Sequence, residues 1–350
     1  MKAVRIGIIG CGVIGKTHAA QAAALEETEL VGVTDLNQEA AQALADRLEV
    51  PRVYASAEEM LSDTEIEAVV LALPSSIRTA LCLQAFEQGK HVLNEKPLSQ
   101  DPEETDELLQ ARGDLTAACC VSRLRFTKSF QAAFNFVKSG ALGELRLVRI
   151  RALQPAAPPP TSPPPVWRFN KGMNAGGIMS NWGCYDLDYL LGLLDWQLKP
   201  VQVLARTWNI APDFKDHIAP GSDAETHVSA FVTCENGPVI MYERGEQIGR
   251  TDDYVWEITG TGGTLHFDIV PKAGMALRFD QAVPEEGVVT ETVWEGDDDW
   301  EAAHRGPLQD FARAIREKRE PLSTFEQAGL IQKITHAIYA SSDKGETVSI

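Results

Sequence analysis

The chain has 350 residues, 44% of them hydrophobic, so it can bury a large core and is long enough for two domains. Its 50 acidic and 32 basic residues give a formal net charge of −18, which argues against binding to nucleic acid or to an anionic membrane surface. No apolar run reaches the length of about eighteen residues that a membrane-spanning helix needs. The six cysteines form no CxxC pair, which favours thiols in a reducing compartment. Composition therefore predicts a soluble, cytoplasmic protein.

Short apolar runs alternate with helical patterns in the first third of the chain. The strand-like runs are VRIGIIG (4–10), LVGVTD (30–35), AVVLALP (68–74), HVLNEKP (91–97) and LTAACCVS (115–122). Segments between them, such as LNQEAAQALADRL, carry apolar residues at helical spacing. Alternation of strand and helix is typical of a parallel sheet covered on both faces. We therefore predict a doubly wound α/β domain of the Rossmann type over residues 1–123.

The pattern changes after residue 123. One helix and the strand LRLVRIRAL precede the proline-rich stretch PAAPPPTSPPP (155–165), which is predicted to be extended. The stretch SNWGCYDLDY (180–189) is predicted to be one helix, and seven strand-like runs with short turns follow it before two closing helices. This order predicts an α+β domain with an antiparallel sheet over residues 124–350.

The motif GCGVIG follows the first strand and precedes a helix, as in dinucleotide-binding turns. Asp35 ends the next strand, twenty residues past the last glycine. A carboxylate there accepts hydrogen bonds from ribose hydroxyls and repels a 2′-phosphate, which favours NAD over NADP. The predicted cofactor-binding residues are Gly10, Gly12, Val13, Ile14, Gly15 and Asp35, with Leu73 and Pro74 at the end of the run 68–74.

The run GKHVLNEKP (89–97), together with the glycine motif, resembles the glucose-fructose oxidoreductase, inositol dehydrogenase and rhizopine-catabolism family (Gfo/Idh/MocA). The resemblance covers nearly the whole chain. Its further motifs are RF (125–126), SGALGEL (139–145), WR (167–168), AGGIMSNWGCYDLD (175–188), GTGGTLHFD (260–268) and PLQDFARAIREKREP (307–321).

The resemblance implies NAD(P)-linked oxidation or reduction of a sugar, polyol or related hydroxy compound. It also implies that the sheet of the second domain is open and mainly antiparallel, and that one face of this sheet makes the subunit contacts of a homodimer or homotetramer. Lys96 of the EKP turn is then catalytic, and Glu95 contacts the nicotinamide ribose as a cofactor-binding residue alongside Lys96. Chemistry agrees for Lys96, because a partly buried ammonium beside a cationic nicotinamide has a lowered pKa and can exchange a proton with a hydroxyl.

The helix stretch departs from the family pattern GGxxxDxGxHxxD. Asn181 stands at the first Asp, Tyr185 at the His and Asp188 at the last Asp. A phenol has an ordinary pKa of about 10, so Tyr185 can donate a proton to a forming alkoxide, whereas Asn181 can only orient a hydroxyl. We predict Lys96 and Tyr185 as the catalytic pair. The predicted substrate-binding residues are Arg125, Trp167, Arg168, Asn181 and Asp188.

Two further departures are Arg78 in place of a family His and Arg123 in place of a frequent Asn, each a neutral exchange or a sign of an anionic substrate. The histidines show no HxxxH or HxH spacing, so no metal site is predicted. The sequence predicts an NAD-dependent dehydrogenase acting on a secondary hydroxyl of a sugar, sugar acid or cyclitol. Two alternatives stay open: a net non-redox sugar enzyme (lyase, epimerase or glycosidase) that uses tightly bound NAD transiently, and an inactive NAD-binding regulatory protein.

Overall fold

The computed structural model describes residues 2–350, and the chain folds into two compact units. The first unit comprises the residues up to Arg123 together with Glu301–Gln332, and the second comprises Leu124–Trp300 and Lys333–Ile350. Among the described residues, no helix combines the length and the apolar character needed to cross a lipid bilayer.

A parallel sheet with helices between its strands forms the first unit. Its elements up to residue 119 are β1 (Val4–Ile9), α1 (Val13–Ala24), β2 (Thr28–Thr34), α2 (Gln38–Leu48), β3 (Arg52–Val53), α3 (Ala57–Ser62), β4 (Ala68–Leu71), α4 (Ser75–Glu87), β5 (His91–Asn94), α5 (Pro102–Ala111) and β6 (Ala117–Cys119). The six strands lie in the order β3-β2-β1-β4-β5-β6, and every neighbouring pair is parallel. This confirms the predicted doubly wound sheet. The strand order reverses between β1 and β4, where such sheets bind their ligands.

Local sequence signals set the ends of the helices in this unit. The side chains of Asn37, Ser56 and Asp101 each accept a hydrogen bond from the first turn of α2, α3 and α5, respectively. Strand β4 is buried along its whole length, as expected for a strand covered on both faces. The short strand β3 was not predicted, because its two residues give no periodic signal.

A nine-stranded sheet forms most of the second unit. A short 3₁₀ helix (Cys120–Phe126) leads into the remaining elements of the chain, which are α6 (Lys128–Lys138), β7 (Leu145–Pro155), α7 (Lys171–Asn174), α8 (Cys184–Leu193), β8 (Pro200–Trp208), β9 (His227–Cys234), β10 (Val239–Ile248), β11 (Asp253–Gly260), β12 (Thr264–Phe267), β13 (Met275–Val283), β14 (Gly287–Gly296), α9 (Trp300–Glu317), α10 (Phe325–Lys344) and β15 (Val348–Ser349). The strand order is β14-β13-β12-β11-β7-β10-β9-β8-β15.

The second sheet confirms the mainly antiparallel prediction, with one exception. Strands β7 and β10 are parallel, and every other neighbouring pair is antiparallel. A parallel pair needs a long crossover connection, and the chain between these two strands contains α8 and two further strands. All ten residues of α8 are buried, which explains its nearly continuous apolar sequence.

The C-terminal segment differs from the predicted domain assignment. We predicted that residues 124–350 form one domain, but Glu301–Gln332 pack in the first unit. The reason is the apolar stripe of α9, on which Leu308, Phe311 and Ala312 are fully buried and join the core of the parallel sheet. A helix stripe shows that a helix packs somewhere, but it does not say against which sheet.

Candidate functional site

The glycine turn after β1 has two closely packed glycines and one open one. Gly10 has a φ of +102°, and a Cβ there would lie 2.4 Å from the carbonyl oxygen of Ala72. A Cβ on Gly15 would lie 1.8 Å from the carbonyl oxygen of Gly10. By contrast, a Cβ on Gly12 would meet no described atom within 4 Å. Gly10 and Gly15 therefore serve packing, whereas Gly12 leaves space for a ligand to approach the backbone.

The N-terminus of α1 presents free backbone donors beside this space. Gly12 is the N-cap residue, no side chain caps the helix, and its first turn contains no acidic residue. Val13 is 91% exposed and Ile14 is half-buried. Backbone N–H groups and the helix dipole at such an end favour a phosphate group. The residues present therefore fit the pyrophosphate of a dinucleotide.

Asp35 lies directly after β2 beside the glycine turn. Its carboxylate accepts hydrogen bonds from the backbone N–H of Cys11 at 2.6 Å and of Asn37 at 2.8 Å. Leu73 and Pro74 follow β4, and Pro74 is the N-cap residue of α4. The predicted cofactor residues thus gather where the strand order reverses. The fixed negative charge of Asp35 suits ribose hydroxyls and not a 2′-phosphate.

Glu95, after β5, is a buried anion with protein partners. It is 4% exposed, and its oxygens lie 2.9 Å from His18 Nε2 and 2.9 and 3.2 Å from Arg123 Nη2. Burial alone would raise the pKa of Glu95, but the Arg123 guanidinium and His18 outweigh it and hold that pKa below its usual range. Glu95 also accepts the backbone N–H of Lys96 at 3.1 Å. It therefore holds the turn that carries Lys96, and its contact with a ribose stays a prediction.

Arg78 supports the same turn from the interior. It is fully buried and donates to Asn94 Oδ1 at 2.9 Å and to the carbonyl oxygen of Pro97. Asn94 in turn donates to the carbonyl oxygen of Leu98 at 3.0 Å, and the Lys96–Pro97 peptide bond is cis. Both arginines that depart from the family pattern therefore bind the EKP turn and its neighbours, which explains them without an anionic substrate.

One group of potential metal ligands occurs among residues 2–350. The ligand atoms of His18, Glu95 and Cys120 all lie within 4.8 Å of one another. Arg123 already bonds both oxygens of Glu95, and burial raises the pKa of the Cys120 thiol well above its usual value. A guanidinium beside a protonated thiol disfavours a cation here. The predicted absence of a metal site stays a prediction.

In the second unit, the predicted single α-helix over 180–189 is wrong at its start. Met179–Gly183 form a π-helical turn, and α8 begins only at Cys184. The buried carboxylate of Glu225 accepts the N–H groups of Gly177 at 3.0 Å and Met179 at 2.9 Å, so it binds the backbone at the start of the turn. Asn181 thus lies on the π-helical turn and Tyr185 on α8, and they do not share one regular α-helical face.

Asn181 and Tyr185 both lie largely inside the second unit. Asn181 is 7% exposed and Tyr185 is 5% exposed. The Tyr185 ring packs against Trp182 in a T-shaped arrangement, with 5.6 Å between the ring centroids. The backbone N–H of Asn181 donates to the carbonyl oxygen of Gly177 at 2.9 Å. The surrounding structure therefore restricts how Tyr185 presents its phenol.

The other predicted substrate residues are paired with carboxylates or partly exposed. Arg125 donates to Asp188 at 2.8 Å, and their side chains are 3% and 1% exposed. Burial raises the pKa of Asp188, and Arg125 opposes that shift. Arg168 pairs with Glu246, whereas Trp167 is 37% exposed. The structure thus brings Arg125 and Asp188 together as an internal ion pair, and their contact with a substrate stays a prediction.

Sequence reasoning missed the buried network of Asp186. This carboxylate accepts hydrogen bonds from Arg244 at 2.5 and 2.9 Å, from Tyr242 at 3.0 Å and from Trp256 at 3.2 Å. These partners lie 56 to 70 residues away in the chain, so no local spacing indicates them. A second Asp beside Asp188 in a mostly apolar helix was the available signal, since a buried carboxylate requires donors.

The strand order, the open glycine turn and Asp35 define a dinucleotide-binding protein with a second, sheet-based unit. Two family models match: residues 4–122 match the oxidoreductase family with an NAD-binding Rossmann fold, and residues 130–266 match the GFO/IDH/MocA C-terminal domain. The chain belongs to the Gfo/Idh/MocA family of oxidoreductases, as the sequence predicted.

Known proteins resemble this chain over most of its length. It is 24% identical over 283 residues to myo-inositol 2-dehydrogenase of Thermotoga maritima, covering 79% of each chain. It is 25% identical over 310 residues to levoglucosan dehydrogenase of Pseudarthrobacter phenanthrenivorans, covering 81% of this chain and 78% of that protein. The crystal structure of an oxidoreductase domain protein from Kribbella flavida has the same fold, with a TM-score of 0.86, 21% identity and full coverage of both chains.

Proposed function

We propose that this chain is an NAD-dependent dehydrogenase that oxidises a secondary hydroxyl of a sugar, sugar acid or cyclitol, or reduces the corresponding ketone. The observation that carries the proposal is the open turn at Gly12 beside the fixed carboxylate of Asp35, which together suit the pyrophosphate and ribose of NAD. When bound, NAD supplies the hydride acceptor for the carbon that bears the hydroxyl. The inositol and levoglucosan dehydrogenases named above support a polyol as the substrate.

The chain's own residues would handle the hydroxyl proton. Lys96 lies on the EKP turn, which Glu95 and Arg78 hold by hydrogen bonds. Its backbone is therefore fixed before a substrate binds. In the proposal, Lys96 and Tyr185 move the hydroxyl proton together: the pair accepts it as the carbon is oxidised and returns it to the forming alkoxide in the reverse direction. Asn181 orients a hydroxyl and cannot titrate.

Four further side chains complete the proposed substrate contacts. The exposed indole of Trp167 offers an apolar surface to a sugar ring, and the guanidinium of the adjacent Arg168 offers N–H donors to substrate hydroxyls. Arg125 and Asp188 hold each other in place by their ion pair, so each keeps a fixed orientation towards any substrate hydroxyl it contacts.

The experiment is a panel of sugars, inositols and uronic acids offered with NAD or NADP, read by the absorbance of the reduced nicotinamide. We expect turnover with NAD on at least one polyol. Lys96→Met should lower kcat at least about 100-fold, and Tyr185→Phe about 10-fold or more, because each removes a proton-transfer group. Near-normal turnover in both variants would reject these catalytic roles, and binding of NAD without turnover would instead favour the regulatory alternative.

We also propose that the protein is a homo-oligomer that uses the open face of its nine-stranded sheet. Leu204, Phe231 and Met241 form a row across β8, β9 and β10, and they are 48%, 45% and 42% exposed. Apolar side chains grouped on a sheet face in this way are typical of protein interfaces. A cytoplasmic location is part of the proposal, and the six buried free thiols suit a reducing compartment.

A further inference from the structure

Trp182 lies between a buried cation and the proposed catalytic phenol. Its half-buried ring packs against Tyr185 in a T-shaped contact at 5.6 Å and 71°. The guanidinium carbon of Arg244 lies 5.1 Å from the centroid of the same ring. Arg244 is 3% exposed, so its attraction to the indole is little screened by water. Trp182 therefore contacts Arg244 of the nine-stranded sheet as well as the ring of Tyr185.

The cation on Trp182 is itself held rigidly. Two nitrogens of Arg244 donate to the two oxygens of Asp186, at 2.5 and 2.9 Å. The Tyr242 hydroxyl and the Trp256 indole N–H donate to the same carboxylate. Burial alone would lower the pKa of Arg244, but Asp186 outweighs it and raises that pKa above its usual value. The Asp186 carboxylate thus holds the guanidinium in one orientation.

These contacts begin and end on the same short segment of backbone. Trp182, Tyr185 and Asp186 lie within five residues of one another, with spacings of three and four. Asp186 binds Arg244, Arg244 stacks on Trp182, and Trp182 packs on Tyr185. Gly183 lets the Tyr242 hydroxyl lie close to the helix backbone, because a Cβ on Gly183 would lie 2.7 Å from the Tyr242 hydroxyl oxygen. A displacement of the indole would therefore remove a packing contact that orients the Tyr185 ring.

We propose that Trp182 is a positioning residue for Tyr185, with the Arg244–Asp186 ion pair holding the indole in place. This inference rests on the proposed function, in which Tyr185 transfers the hydroxyl proton. Proton transfer needs a donor within hydrogen-bond reach of the substrate oxygen, so a loosened phenol lowers kcat while substrate affinity changes little. Trp182 has no polar group in the transfer, and its effect acts wholly through Tyr185.

The experiment compares Trp182→Leu, Trp182→Phe, Tyr185→Phe and the double variant Trp182→Leu/Tyr185→Phe. The probes are myo-inositol, levoglucosan and methyl glucoside with NAD. We expect Trp182→Leu to lower kcat about 10-fold with KM within about twofold, and Trp182→Phe to keep most of the activity because it retains a ring. The double variant should be no slower than Tyr185→Phe, since the indole acts only through the phenol.

Phe136→Leu is the control, because it removes an aromatic contact with Phe279 elsewhere in the second unit and should leave kcat unchanged. Normal kcat in Trp182→Leu, or losses that multiply in the double variant, would overturn the inference. Normal kcat in Tyr185→Phe would instead reject the proposed role of Tyr185, so the two failures are distinct. If Trp182→Leu does not fold, Trp182→Met replaces it in the same comparison.

Discussion

At the residue scale, Asp35 has two tasks at one carboxylate. Its two oxygens hold the N–H groups of Cys11 and Asn37, which fixes the glycine turn to the end of β2. Each oxygen has a further lone pair that can accept a ribose hydroxyl. The same charge that binds the hydroxyls repels a 2′-phosphate, so structural support and cofactor choice share one side chain.

Asp35→Asn should weaken NAD binding and reduce the preference for NAD over NADP. An amide keeps the shape but offers one acceptor atom and no negative charge, so we expect about a 10-fold loss of NAD affinity and a smaller NAD-to-NADP ratio. Fluorescence titration with both reduced cofactors measures the two dissociation constants. Asp46→Asn, on the exposed surface of α2, is the control. An unchanged cofactor ratio in Asp35→Asn would contradict the assignment.

Glu95→Gln should destabilise the first unit strongly. The substitution leaves the buried Arg123 guanidinium without its carboxylate, which costs roughly 3 kcal/mol of unfolding free energy. Urea denaturation followed by fluorescence measures the loss. Glu65→Gln breaks an exposed pair with Arg52 in the same unit and should change stability by less than about 1 kcal/mol. Equal losses of unfolding free energy in the two variants would show that burial does not increase the contribution of the Glu95–Arg123 pair to stability.

The sequence predicted those site residues that are grouped by local spacing. The glycine turn and the EKP turn can each be recognised from a few consecutive residues. Asp35 can be predicted from the length of one strand–helix–strand unit. The pairing of Arg125 with Asp188 spans 63 residues, and that of His18 with Glu95 spans 77. No spacing rule reaches so far, because such pairs depend on how whole elements pack.

At the element scale, the π-helical turn Met179–Gly183 shows how packing changes a regular pattern. The apolar sequence predicts one helix, but Glu225 binds N–H groups at the start of the turn, and Asp186 is hydrogen-bonded to β10 and β11. The wider turn lies between these two anchors. The parallel pairing of β7 and β10 was likewise not predictable, because short turns between consecutive strands indicate only antiparallel neighbours.

The anchoring of α9 in the first unit should depend on pH. Hydrogen bonds from Arg316 lower the pKa of Glu67 to about 2, against partial burial that would raise it. Because the folded-state pKa is depressed, this stabilisation is fully present above the unfolded value of about 4.5 and is lost as the pH falls towards 2. We expect wild type to lose about 2 kcal/mol more than Glu67→Gln between pH 5 and pH 2.

Urea denaturation at a series of pH values measures this difference. Glu29→Gln, an exposed change on the neighbouring strand β2, should follow the wild-type profile. If Glu67→Gln and wild type lost the same stability on acidification, the Arg316–Glu67 pair would not anchor α9.

At the scale of the whole molecule, the chain joins a parallel sheet that binds a cofactor to a larger sheet whose open face carries a row of exposed apolar residues. Along β8, β9 and β10, buried side chains alternate with exposed apolar side chains, and the exposed ones lie on this face. Ala205, Ala230 and Tyr242 are buried, whereas their neighbours Leu204, Phe231 and Met241 are exposed. A lone subunit would leave this row in water, which favours association of subunits.

Phe231→Asp should dissociate the proposed oligomer. A carboxylate at the centre of the row loses hydration on association, and the symmetric contact of a dimer brings the charges of two copies near each other. Sedimentation velocity measures the mass in solution. Val288→Asp is the control, since Val288 is 72% exposed on the distant strand β14. A wild-type protein that sediments as a monomer, or an equal mass in both variants, would contradict the proposed interface.

The central claim, turnover of a polyol with exchangeable NAD, is tested most directly by counting reduced cofactor per enzyme. Gel-filtered protein is mixed with a large excess of NAD and with myo-inositol, levoglucosan or methyl glucoside, and the NADH formed is compared with the enzyme concentration. The proposal predicts NADH in many-fold molar excess over enzyme on at least one of these substrates. Product formation with no more than one equivalent of NADH would contradict it and would identify a net non-redox enzyme that retains its NAD.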